Sequence, residues 1–255
     1  MALPLKPLKW YKELAAKKGR LESGAFLVEG ERAIGQIISS HPDAIMEMIT
    51  IAEPLPTYRH YPVRVVTEGQ FRSICHTRTP QGTLAVVRLP ADIYSDHLPA
   101  DAGDRILLME DIQDPGNTGT LIRTAAAFGF SGVIMTDNCA DPLSPKCVQA
   151  TAGTVLSLWL RRTYRYLEIA GALRQRGYSL VAAELNGDTG PEVLTRRSKF
   201  ILALGNEGAG LSQELLKIAD DRLRIPTVRE KAESLNVAAC GAILMYLSSQ
   251  DLEPR

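Results

Sequence analysis

Cysteine, histidine and tryptophan are scarce in this 255-residue chain: four, four and two residues, with aromatics at 6%. Cys75, Cys139, Cys147 and Cys240 are scattered, without a Cys-x-x-Cys pair or a histidine at ligand spacing. Neither a zinc site nor a disulfide framework is therefore expected, and a reducing, cytoplasmic setting is. Charge of either sign is also not in excess, since 29 basic residues balance 29 acidic ones. No global field draws in a polyanion or a membrane, so any such partner must meet a local patch. No apolar run reaches the roughly 18 residues needed to span a bilayer, and "MALPLKPLKWYKEL" lacks the apolar stretch of a signal peptide. A soluble, unprocessed protein without membrane contact is expected. Also missing is a Gly-x-Gly-x-x-Gly opening a βαβ unit near the start with an acidic residue after it, which disfavours a nicotinamide-dependent oxidoreductase.

What is present is ordinary core material, 45% of the residues, in a length that suits one large domain or two smaller ones. The stretch "PADIYSDHLPADAGD", poor in apolar periodicity and rich in Pro, Asp and Gly, divides the chain. The expected organisation is an amino-terminal domain over 1–90, a linker over 91–104 and a second domain over 105–255. In the first, "GAFLVEGERAIGQIIS" reads as strand, turn and amphipathic helix, with "AIMEMITIA", "YPVRVVT" and "GTLAVVRL" as strands. In the second, the strands "RILLMED", "GVIMTD", "YSLVAAEL" and "KFILALG" alternate with helical patterns such as "NTGTLIRTAAAFG" and "RYLEIAGALRQRG", each closed by a glycine. The fold class is α/β, with a mostly parallel sheet covered on both faces in the second domain and a small α/β domain before it.

Open parallel sheets bind ligands beyond the carboxyl ends of their strands. Three such ends are chemically unusual: "DIQDPGNTGTLIR", "ALGNEGAGLS" and "LRIPTVREKAESLNVAAC". Asn117 has the composition of a helix N-cap, and Arg123 follows on a helix that is otherwise small and apolar. Gly205, Gly208 and Gly210 could form a plain turn, but Glu207 among them is a carboxylate beside flexible backbone. Ser234 stands where an N-cap would start the apolar helix "LNVAACGAILMYL", leaving Asn236, a mediocre helix former, inside the first turn. The basic start, Lys6, Lys9, Lys12, Lys17, Lys18 and Arg20 against Glu13 and Glu22, reads either as a solvated helix face or as a polyanion contact.

Taken in order, Asn-x-Gly-x-x-x-Arg (Asn117, Gly119, Arg123), Gly-x-Glu-x-x-Gly (Gly205, Glu207, Gly210) and Ile-Pro with Ser-Leu-Asn-Val (Ile225, Pro226, Ser234 to Val237) resemble the SpoU/TrmH family of RNA 2′-O-ribose methyltransferases. "FLVEGERAI" and "TPQGTLAVV" resemble that family's amino-terminal substrate-binding domain, so the resemblance covers nearly the whole chain. Thr227 departs from it where methionine usually follows Ile-Pro, and "VREKAE" is a charged insert placed in a loop.

The resemblance implies a trefoil-knotted catalytic domain, S-adenosylmethionine as cofactor, no metal, a homodimer, and RNA as substrate, with large-subunit ribosomal RNA ahead of transfer RNA. A knotted RNA-binding protein without catalytic activity is the alternative. Leu204, Gly205, Asn206, Gly210, Ile225, Pro226 and Leu235 would meet the cofactor, largely through backbone groups. Arg123 would act on the ribose hydroxyl, either as proton acceptor or as a charged group that grips the phosphate and stabilises the oxyanion. Asn117, Glu207, Ser234 and Asn236 would complete the catalytic site. Trp10 and Tyr11 would be available for stacking on unpaired bases, with Lys17, Lys18 and Arg20 contacting phosphate.

Overall fold

The structure, a computed structural model, describes residues 6–77, 79–228, 230–231 and 233–249. Arg229 and Ala232 of the expected insert lie outside the described residues.

Runs rich in valine, isoleucine and leucine before residue 90 pair as β1 (Ala25–Glu29), β2 (Ile45–Thr50), β3 (Val63–Val65) and β4 (Thr83–Arg88), in the sheet order β1-β4-β2-β3. β4 runs antiparallel to both neighbours, and β3 lies parallel to β2. Around this sheet lie α1 (Leu8–Glu13), α2 (Lys17–Ser23), α3 (Glu31–Ser40) and α4 (Glu68–Ile74), the last begun by a capping box between Thr67 and Gln70.

Helices as short as α1 and α2 cannot stand by propensity and need anchors in the core. Tyr11 is one: it is fully buried among Leu27, Ile49, Phe71 and Leu84, its hydroxyl lies 2.9 Å from Glu47, and it accepts a bond of 3.1 Å from Arg64. Burial, with Glu47 beside it, pushes its pKa up to about 12. Tyr11 is thus not available for stacking on bases; Trp10, half-buried and edge-on to it, is packed against this core. Arg20 is the second anchor. Its side chain is 1% exposed and donates to the carbonyls of Leu14 and Ala15 and to Asp141 at 2.8 Å. The expectation that Arg20 contacts RNA phosphate fails on this burial; Lys17 and Lys18 are exposed.

The second sheet is built from β5 (Arg105–Met109), β6 (Gly132–Met135), β7 (Trp159–Arg162), β8 (Ser179–Ala183), β9 (Phe200–Leu204) and β10 (Asp221–Leu223). All are parallel, in the order β10-β8-β9-β5-β6-β7. The central strands are buried on both faces, which is why they read as unbroken apolar runs. Their partners are α5 (Pro115–Ala127), α7 (Tyr166–Gln175), α8 (Gln213–Ile218) and α9 (Val237–Ser248). Gly129 and Gly177, with φ of 71° and 90°, follow α5 and α7 in the left-handed conformation expected of closing glycines.

Two compact units result. One comprises residues up to Pro90 together with Asp141–Ser157, which carry α6 (Pro145–Thr151); the other comprises Ala91–Ala140 and the residues from Leu158 on. The connection between β6 and β7 therefore belongs with the amino-terminal sheet, where the glycine Gly153 (φ 92°) passes so close to α3 that a Cβ would lie 2.4 Å from the Ala33 carbonyl. Residues 91–104 hold no regular element yet are tied to the second unit, where the Trp159 indole donates to the Ala102 carbonyl and Thr163 to Asp96. No helix among the described residues is long and apolar enough to cross a membrane.

Candidate active site at the strand ends

Strand β5 ends at two consecutive acids that turn to opposite sides. Glu110 is buried, while Asp111 takes a left-handed conformation (φ 55°), uncommon for a residue with a Cβ. Local bonds hold it there. The Asp111 carboxylate accepts from Thr136 at 2.6 Å and from Asn138 at 3.1 Å, and its carbonyl accepts from the Asn206 amide at 2.8 Å. Sequence reasoning passed over Asp111 because an acid before Ile-Gln-Asp-Pro reads as turn composition; only the angle reveals it.

Helix α5 then starts on Asp114, whose carboxylate caps the Asn117 N–H, with Pro115 in the first helical position. Asn117 is not the cap. Relieved of that task, its side chain donates to Glu207 at 2.8 Å and accepts from the Asn236 amide at 3.2 Å. The apolar helix α9 begins one residue after Asn236, whose side-chain oxygen accepts from Ala238 and Ala239. Asn236 is the cap expected at Ser234, and Ser234 is exposed outside the helix. Asn and Ser cap about equally well, so cap strength does not choose between the two positions; the Asn236 amide has in addition a donor, which reaches Asn117. One residue from each unusual strand end thus joins in the chain Glu207–Asn117–Asn236.

Between β9 and α8 the glycine-rich loop folds on itself. Asn206 and Gly210 exchange backbone bonds of 3.0 and 2.9 Å, and the Asn206 side chain accepts from Gly208 and Ala209. A Cβ on Gly205 would lie 2.3 Å from the Gly210 carbonyl carbon. Glycine is required there by this self-contact.

Beside the loop opens a cavity of about 510 Å³. Of the expected cofactor residues, Leu204, Gly205, Asn206, Gly210, Ile225 and Leu235 line it, together with Glu207 and Ser234; Pro226 does not. A fourth strand end, Ala183 to Asn186 after β8, also lines it and was missed, since "AAELNG" carries no motif. The cavity's charged lining consists of carboxylates, Glu184, Glu207 and Glu233. Cys240 completes one wall, and burial raises its thiol pKa to about 11, so it is a neutral apolar neighbour.

Arg123 is not part of these contacts. It is exposed, six residues along α5 from Asn117, about 120° around the helix axis at 3.6 residues per turn. Among the described residues no hydrogen bond joins it to Asn117 or Glu207.

Residues 104–246 match the model of the SpoU rRNA Methylase family, and residues 6–85 match that of the MRM3-like substrate binding domain. The chain is 31% identical to the 23S rRNA (guanosine(2553)-2′-O)-methyltransferase RlmP of Bacillus subtilis (strain 168), over 94% of both chains. Its fold is similar to the SpoU methyltransferase AviRb from Streptomyces viridochromogenes in complex with AdoMet (TM-score 0.82, 25% identity, 96% of this chain and 97% of that one). It is likewise similar to the AdoMet-bound rRNA methyltransferase from Sinorhizobium meliloti (TM-score 0.79, 28% identity, 100% and 98%). With the three ordered motifs, the parallel sheet and a family match over more than half its length, this chain belongs to the SpoU rRNA methylase family.

Proposed function

We propose that the protein transfers a methyl group from S-adenosylmethionine to a ribose 2′-hydroxyl of large-subunit ribosomal RNA. The observation that carries this reading is the Glu207–Asn117–Asn236 chain, which joins the three motifs into one site and reaches the cavity through Glu207.

The cavity suits the cofactor on three counts. Its volume falls within the range of roughly 300–1,000 Å³ usual for small-molecule sites. Apolar residues such as Leu204, Leu223, Ile225 and Leu235 would make a slot for adenine, and Glu184, Glu207 and Glu233 complement a ligand with sulfonium and ammonium charges. Bound there, S-adenosylmethionine would supply the methyl group.

Residues of this chain would do the rest. The loop and the apolar walls would hold the donor, and Asn117, bonded to both Glu207 and Asn236, ties the start of α5 to them, which would help align donor and acceptor. Arg123, exposed on that same helix, would meet the RNA. Its planar fork suits phosphate grip and stabilisation of the developing oxyanion, with the hydroxyl proton passing to water and S-adenosylhomocysteine leaving.

Ribosomal RNA is favoured over transfer RNA by the substrate-binding module at 6–85 and by the B. subtilis relative, named for a 23S rRNA guanosine. We also infer a homodimer. α9 is apolar almost all round, and Ile243 and Tyr246 on it are 39% and 56% exposed, more than a single chain covers.

Incubation with methyl-labelled S-adenosylmethionine and unmodified large-subunit or transfer RNA tests the reading. Label in an alkali-resistant dinucleotide from the large-subunit RNA is expected. Label on a base, or on transfer RNA alone, would overturn the assigned substrate.

A further inference from the structure

Glu110 is a buried carboxylate that the site described above does not use. It is 4% exposed, and no cation pairs with it among the described residues. An anion in such a place costs far more than an apolar side chain of the same size unless hydrogen bonds replace its water. Here they do. Oε2 accepts the Ser212 N–H at 2.7 Å, while Oε1 accepts the Ser212 hydroxyl at 2.6 Å and the Tyr166 hydroxyl. Tyr166 in turn stays protonated up to about 12, held there by burial and by the bond to Glu110.

The partners are telling. Ser212 is the residue at which the 205–211 loop ends and α8 begins, and its hydroxyl also caps the Leu215 N–H at 3.2 Å. At the other end of the loop, the backbone N–H of the same Glu110 donates to the Leu204 carbonyl at 2.9 Å. One residue therefore fastens both ends of the loop that walls the cavity, its main chain holding the entry and its side chain the exit. Inside the loop, the tight Gly205–Gly210 approach passes any shift of the exit on to the cavity wall.

We propose that Glu110, through Ser212, is a positioning residue for the cofactor: it sets the glycine-rich loop in its binding shape and takes no part in the chemical step. The inference rests on the reading of the cavity as the S-adenosylmethionine site.

Calorimetry with S-adenosylmethionine and single-turnover methylation at saturating cofactor, on the full chain and on Glu110→Gln, Ser212→Ala and Tyr166→Phe, test it. The two hydroxyl deletions are mild enough to fold if Glu110→Gln is not. The expected result is a Kd raised by about tenfold or more in Glu110→Gln and Ser212→Ala, with saturating rates within about twofold of the parent. The double variant should be no weaker than the worse single one, because both changes cut the same link. A lower melting temperature with unchanged Kd would show a merely structural carboxylate and overturn the proposal, as would additive effects or a loss confined to the saturating rate. Absence of binding by the unmodified chain would instead sink the cavity assignment, and this inference with it.

Discussion

Two arginines that look alike as letters in the sequence are opposites as residues. Arg123 is exposed on a helix of small residues, and replacing it should leave the fold untouched. Arg123→Ala and Arg123→Lys are both expected to lose about 100- to 1,000-fold in single-turnover methylation with cofactor affinity preserved, since lysine lacks the planar fork. Near-normal transfer by the lysine variant would reduce the role to simple charge. Arg20, by contrast, sits buried against Asp141 and two carbonyls. Arg20→Ala should cost about 3–5 kcal/mol of stability, the penalty for stranding one partner of a buried ion pair. Thermal unfolding reads it: a variant that melts with the parent but binds RNA less steeply with salt would return Arg20 to the RNA surface. The sequence could not separate the two, because burial of a charge depends on a partner 121 positions away.

Elements were more legible than their ends. The apolar runs of β5, β6, β8 and β9 announce themselves, because strands buried on both faces leave little room for polar residues. β7 does not: "WLRR" lies at the sheet edge, where Arg161 is buried and donates to the His97 carbonyl while Arg162 donates to the carbonyls of Asp137 and Cys139. Helix starts were misplaced by two or three residues at α5 and α9, since Asp, Asn and Ser compete as caps and local sequence ranks them too closely. The site suffers from this directly, for its central hydrogen bonds belong to residues excused from capping or doing it twice over. Asn236 separates the tasks. Asn236→Asp keeps the cap oxygen but loses the donor to Asn117, so it should melt near the parent while losing at least about tenfold in methylation. Asn236→Ala should lose a further ~1 kcal/mol of stability through the missing cap. Equal activity of the aspartate variant and the parent would show that the Asn117 link is incidental. The three motifs themselves were fully legible in order; that they meet through Asn117 and not through Arg123 depends on helix phase, which spacing alone leaves open.

For the molecule as a whole, the exposed side of α9 makes association the main expectation. Ile243→Asp combined with Tyr246→Asp should convert a dimer to monomers in sedimentation equilibrium while leaving the fold intact, as both residues are already solvent-exposed in one chain. A parent that sediments as a monomer at micromolar concentration would remove the dimer from the reading.

The segment Asp141–Ser157, which leaves the parallel sheet after β6 and is built into the amino-terminal unit before returning as β7, has a practical and an evolutionary consequence. An expression clone cut at residue 90 would produce an amino-terminal fragment missing a helix of its own core, with Arg20 deprived of Asp141. A protease that nicks residues 91–104 would not release it cleanly either, since the remaining chain still contributes α6. Modules joined end to end can be exchanged by recombination at a single crossover; these two share a strand connection, so a swap must replace both pieces at once. Grafting a foreign RNA-recognition module onto this catalytic sheet therefore calls for transplanting 141–157 along with it.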